Sequence, residues 1–168
     1  MNRDQLIDRT INIYLQIAEA ARFSKDFALS TSMLLAAYDQ VQNFSQKVDK
    51  KTLTKLAELL AMQELTKQAE KIFCCALKDE KENISDSWLL ARIYDGLTEV
   101  YIRQAEFEKA RKKCEQAIRI LTKLPGFDPT LLSSRQRKLA LINLHQGHNE
   151  KAHELCRQAE TMSCAGTR

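Results

Sequence analysis

Four alanines stand at nearly fixed steps along the chain: Ala28, Ala69, Ala110 and Ala152, separated by 41, 41 and 42 residues. Three of them open the same short pattern, Ala69-x3-Phe73-x2-Ala76, Ala110-x3-Cys114-x2-Ala117 and Ala152-x3-Cys156-x2-Ala159; Ala28 is followed by Ser32 and Leu35. Residues spaced by three and four lie on one face of a helix. Small residues on that face suit a place where two antiparallel helices approach closely. Such a pattern met four times in step points to one helical unit, repeated, whose apolar face is buried by stacking on its neighbours.

Composition agrees with helices. Only 4 glycines and 2 prolines occur in 168 residues, and charged residues make up 29%. That length is enough for one domain with its own core. The net charge of +4 permits an acidic partner without demanding nucleic acid. No apolar run reaches the length of a bilayer span, and the first ten residues have no signal-peptide core. The five cysteines include no Cys-x2-Cys pair, which suits a reducing compartment. The expectation is a cytoplasmic protein.

Apolar periodicity places the helices. In the first repeat a helix over 4–22 buries Ile7, Ile11, Tyr14, Leu15, Ala18 and Ala21. A second, over 24–43, is expected to bury Phe27, Thr31, Leu34, Leu35, Tyr38 and Val41. The second repeat runs over 50–62 and 66–79, with a turn at Gln63-Glu64-Leu65 that lacks glycine. The third starts at Ser85 or Asp86, both good caps. Its second helix carries Glu108/Lys112 and Glu115/Arg119 on a solvent face and stops at Pro125-Gly126. In the fourth, Asp128 caps, Pro129 suits the first helical position and Phe127 staples onto Leu132. Its helices span 128–146 and 148–162 with Gly147 at the turn, and 163–168 should fray.

The stretch Tyr94-x2-Leu97-Thr98-x2-Tyr101…Ala105…Phe107-x2-Ala110…Ala117…Pro125 resembles the tetratricopeptide repeat. Thr98 stands where that family has Gly or Ala, and Cys114 where it has Phe. The period exceeds the common 34, as in the longer repeats of kinesin-light-chain-like scaffolds. The resemblance implies an all-α, right-handed superhelix of about four antiparallel helix pairs. It would form a single domain over 1–168, with repeats near 4–43, 50–79, 86–124 and 128–162. It also implies a concave groove lined by each repeat's first helix. Carried over position by position, that groove holds Arg9, Asn12, Gln16 and Glu19, then Lys51, Thr54, Glu58 and Met62. The third repeat contributes Trp88, Arg92, Asp95, Glu99 and Arg103, and the fourth Ser134, Arg137, Leu141 and His145. A clamp for a C-terminal carboxylate is not supported, since of its expected charges only Arg92 is matched in the first three repeats.

Each feature has a blander reading. Trp88 is either a groove hot spot or core packing. Arg92/Glu99 and Asp95/Arg103 are near enough to be solvated ion pairs. The basic stretches 109–113 and 135–138 lack interleaved aromatics, which disfavours nucleic acid. His145, His148, His153 and Cys156 form no second ligand pair, and no metal or other cofactor is expected. No phosphate loop, nucleophile elbow or paired-carboxylate pattern occurs, so an enzyme is disfavoured. The expected function is an adaptor that binds a peptide or helix of a partner protein, with no membrane partner. Self-association through an end face is the alternative, and nucleic-acid binding stands third.

Overall fold

The computed structural model describes residues 3–44, 48–78, 87–124 and 129–165. Among them are eight helices and no strand: α1 (Arg3–Phe23), α2 (Phe27–Phe44), α3 (Lys50–Met62), α4 (Thr66–Leu77), α5 (Ser87–Arg103), α6 (Phe107–Leu121), α7 (Pro129–His145) and α8 (Asn149–Ala165). Consecutive helices pack as hairpins, α1 on α2, α3 on α4, α5 on α6 and α7 on α8. Contacts gather them into two compact units, Met1–Glu80 and Lys81–Arg168, with two hairpins in each. The class is all-α, that of an α-α solenoid.

One turn is used four times. Lys25, Glu64, Ala105 and Gly147 all have positive φ, at 63°, 61°, 58° and 77°. The amide after each donates five residues back, from Asp26 to Ala21 O, Leu65 to Leu60 O, Glu106 to Tyr101 O and His148 to Asn143 O, at 2.8–3.0 Å. The left-handed residue itself donates to Arg22, Ala61, Ile102 and Leu144 O, at 3.0–3.1 Å. This pair of bonds closes the orphan carbonyls at a helix C-terminus. Glycine is the residue that adopts such a conformation without strain, and only the fourth turn has one. The chain then re-enters a helix at once. After the first turn Asp26 Oδ1 accepts from Leu29 N at 3.0 Å as an N-cap.

Counted from these turns, the buried small residues fall in register. Five residues on stand Ser30, Ala69, Ala110 and Ala152; twelve on stand Ala37, Ala76, Ala117 and Ala159. All eight are buried. The first hairpin therefore differs from expectation. Ser30, not Ala28, takes the small position, and α2 buries Ser30, Leu34, Ala37 and Val41. Phe27 and Leu35 are exposed, and Thr31 and Tyr38 only half-buried. The turn ends two residues later than a strict period would place it, which rotates α2 about its axis. Ser30 Oγ accepts from Gln63 Nε2 at 3.3 Å, so its hydroxyl is satisfied.

In the first unit the core is apolar: Ile11, Leu15, Leu34, Val41, Leu56, Leu60, Ile72 and Phe73 are all shut off from solvent. Asp49 caps α3, its carboxylate accepting from Lys51 N at 3.0 Å. In the second unit Leu97, Val100, Leu121 and Ile142 are fully enclosed, and polar groups join them. Ser133 Oγ donates to Ala159 O at 2.8 Å, and Asn143 Nδ2 to Leu139 O at 2.8 Å. Helix α8 continues through Ala165, past the fraying expected from Ser163. Pro129 opens α7. The caps at Ser85, Asp86 and Asp128, the Phe127 staple and the stop at Pro125-Gly126 lie outside the described residues.

Candidate functional site

In the first unit α1 and α3 lie side by side, and polar side chains join them along one edge. Lys55 Nζ meets Glu19 Oε2 at 2.8 Å. Asn12 Nδ2 donates to Asp8 O at 2.9 Å and approaches Thr52 Oγ1 at 3.4 Å. Asp8 Oδ1 accepts from Asp49 N at 3.4 Å, tying the start of α3 to α1. Arg22 reaches the sulfur of Met62 at 3.6 Å.

The second unit repeats the arrangement with more charge. Asp95 on α5 accepts from Arg135 at 3.4 Å and from Lys138 at 3.2 Å, both on α7. Lys138 also stands 3.7 Å from Glu99, which Arg103 meets at 3.5 Å. One rung is common to both units. Glu19 and Glu99 each lie six residues before their turn, and Lys55 and Lys138 nine before theirs. A helix pair stapled at the same height by the same two residue types fixes long side chains that would otherwise be free.

The groove residues expected from sequence divide accordingly. Glu19, Asp95, Glu99 and Arg103 are engaged in these pairs, and Asn12 is half-buried in its own hydrogen bonds. Gln16, Arg92 and Arg137 are exposed, and Glu58 is half-buried. Trp88, 46% exposed at the start of α5, is not core. Leu141 is exposed. His145 is exposed and stacks on Phe107, with ring centroids 4.5 Å apart. Thr54 is the correction: it is fully buried, and its hydroxyl donates to Lys50 O at 2.7 Å. The position faces inward in the first hairpin too, where Leu15, ten residues before its turn as Thr54 is before its own, is also fully buried. Asp95 likewise pairs across to α7 rather than with Arg103. Lys55, Arg135 and Lys138 were not among the expected site residues. Their signal was in the sequence as a column of Glu19, Glu58 and Glu99 beside a column of Lys55 and Lys138. The turn positions that align those columns carry no glycine in three cases of four.

Beneath the second rung sits Cys114. Its Sγ donates to Arg135 O at 3.4 Å. Burial, aided by the Asp95 carboxylate, pushes the thiol up to about 12, against the opposing pull of Lys138 and Arg135. It is a protonated packing group, not a nucleophile.

On the other side of the second unit a cleft of about 490 Å³ opens between α6, α7 and α8, among Arg111, Glu115, Leu139, Glu154 and Leu155. Arg111 bridges Glu108 at 3.0 Å and Glu115 at 3.1 Å, in place of the expected Glu108/Lys112 and Glu115/Arg119 pairs. Hydrogen bonds from Arg111 and Gln146 hold the Glu108 carboxyl below its usual range. Among the described residues no cluster of three or more His, Cys, Asp or Glu could hold a metal ion. No helix among them is long and apolar enough to cross a membrane.

The class defined by this geometry is a helical-hairpin protein with paired first helices. No protein-family model and no curated protein matches the chain. Among solved structures it is similar to the crystal structure of BtubC (BKLC) from P. vanneervenii, with a TM-score of 0.75 at 20% sequence identity. The alignment covers 92% of this chain and 63% of that one, so the chain spans less than two thirds of that neighbour's length. At this identity the likeness shows the fold alone.

Proposed function

We propose that this chain is a protein-interaction scaffold, in which the side chains on the first helices of the hairpins receive a peptide or helix of another protein. The recurrence of the Glu19–Lys55 rung as Glu99–Lys138 carries this reading. Each rung orders charged side chains before any partner arrives, which lowers the entropy lost on binding. Exposed groups stand beside the rungs: Gln16 in the first unit, and Trp88, Arg92 and Arg137 in the second. An exposed tryptophan one helical turn from an arginine has the composition of a binding hot spot. The resemblance of Tyr94–Pro125 to the tetratricopeptide repeat supports the same reading. The function is recognition without chemistry. A reducing setting such as the cytoplasm suits it, since Cys75, Cys114 and Cys156 are free thiols.

The test is a capture experiment from the source cell, with the wild-type chain beside an Arg92→Glu, Arg103→Glu double variant and a Lys151→Glu control on α8. Partners held by wild type and control but lost from the double variant support the proposal. Partners held equally by all three would sink it.

A further inference from the structure

The first hairpin is apolar on both sides. Helix α1 buries Ile7, Ile11, Leu15 and Ala18 against its own unit. Its opposite side carries Leu6, Thr10, Ile13, Ile17 and Ala20, at alternating steps of four and three. Leu6, Ile13 and Ile17 are 51%, 54% and 38% exposed. The 4-3 spacing is that of a helix-to-helix seam. On α2 the adjoining positions are Ala28, Leu29, Ser32 and Met33.

The common register says what such positions do elsewhere. Ile13 and Ile17 correspond to Thr52 and Leu56 on α3, which are buried against the preceding hairpin. On α7 they correspond to Arg135 and Leu139, of which Arg135 pairs back to α5. The α2 positions correspond to Glu150, Lys151, Glu154 and Leu155 on α8, at the cleft facing α6. The first hairpin thus presents the face by which the second hairpin of each unit stacks on the first, and makes it more apolar than either of them. Its two hydroxyls are already satisfied: Thr10 Oγ1 donates to Leu6 O and Ser32 Oγ to Leu29 O, each at 2.9 Å. The face can therefore be buried without stranding either of them.

We propose that this face is a homodimer interface, α1 packing antiparallel on α1 of a second copy. The contrast between the α1 face and the exposed face of α8 selects this occupant. In the last hairpin α8 exposes His153, Cys156, Arg157 and Glu160, and the position of Cys156 is the one by which Cys114 reaches α7. Head-to-tail stacking would press those charges onto the isoleucines, at a desolvation cost. Antiparallel α1 helices instead set Ile13 against Ile17 of the second copy and Thr10 against Ala20, large beside large and small beside small. Arg9, the charged residue flanking the seam, then lies at its rim and does not meet its own copy. The pairing is closed, so it stops at two.

Sedimentation equilibrium of the full chain from about 1 to 100 µM, a range wide enough to resolve ordinary self-association, tests this beside Ile13→Lys and Ile17→Lys. Both sites are exposed in one copy and lysine is a better helix former than isoleucine, so helicity by circular dichroism stays constant. A wild-type dimer whose dissociation constant rises by about 100-fold or more in each variant, as expected from losing two buried isoleucines per dimer, supports the proposal. A monomer throughout the range overturns it. So does a dimer that tolerates Ile13→Lys, or mass that grows without limit as concentration rises. The Arg92→Glu, Arg103→Glu variant should dimerise as wild type does, which separates this face from the partner surface.

Discussion

Leu53, Leu56 and Leu60 on α3 occupy the places that Gln136, Leu139 and Asn143 occupy on α7. Both helices begin the second hairpin of their unit, and both stack on the hairpin before. The first unit does this with aliphatic side chains, the second with an ion-paired aspartate and a buried thiol bonded to a carbonyl of α7, while Ser133 and Asn143 bond within their own hairpin. What the two share is narrower: the left-handed turn, two small residues five and twelve positions after it, and one Glu–Lys rung. Hairpin shape is set by those few positions. The chemistry between hairpins is free to differ, which is how a chain matching no family model keeps a fold seen in solved structures.

The sharpest test of that contrast uses one register position in each unit. Phe73 and Cys114 both lie nine residues after their turns and both are fully buried. Phe73→Ala should lose about 3–5 kcal/mol by urea unfolding, through lost transfer energy and the cavity left behind. Cys114→Ala should lose about 1 kcal/mol, since the volume removed is roughly one methyl group. Equal losses would break the comparison.

Cys114 also makes the second unit sensitive to alkali. An unfolded thiol ionises near 9.0, whereas this one is pushed up to about 12. Between those values the unfolded chain releases a proton that the folded chain keeps, so stability falls as pH rises through that window. At pH 8 the difference of three units leaves about a thousandfold less thiolate at Cys114 than at an ordinary thiol. A thiol reagent should therefore modify exposed Cys156 at once and Cys114 only through opening of the fold. Equal labelling rates, read by peptide mass, would remove the buried thiol from the account.

Asp95→Ala takes the carboxylate from Arg135, whose side chain is only 12% exposed and keeps its bond to Leu131 O, and takes a partner from Lys138. The expected loss is about 2 kcal/mol, below the range for a fully buried pair because Lys138 and Glu99 remain partly solvated. High salt should narrow the gap between variant and wild type. Ala105→Gly should stabilise by about 0.5–1 kcal/mol, by relieving a left-handed alanine. The same substitution at Ala110, buried inside α6, should destabilise by about 1 kcal/mol or more. Glu19→Gln removes one half-exposed rung of the first unit and should cost about 0.5 kcal/mol or less. A larger loss would mean that unit leans on charge as the second does.

Much of the fold was legible. The apolar stripes of the first helices placed α3 at its observed bounds and α1 and α7 within a residue. The register of the first hairpin was not. Ala28 offered the right residue at the right period, whereas the position needed only a small side chain, which Ser30 supplies. The column Ala37, Ala76, Ala117 and Ala159 would have fixed the shift. The site was less legible than the fold. Charges at helical spacing announce a polar face, but whether a side chain pairs within its helix or across to the next depends on the neighbouring hairpin. Asp95 and Lys138 are 43 residues apart, and no local pattern joins them.

Trp88 is the sole tryptophan of the chain, and it is half-exposed on α5 beside Arg92. Titration of a captured partner peptide, read by Trp88 emission and its quenching by iodide, reports on the proposed surface directly. The account predicts a blue shift and loss of quenching that saturate with binding. Saturable binding that leaves both unchanged would contradict it.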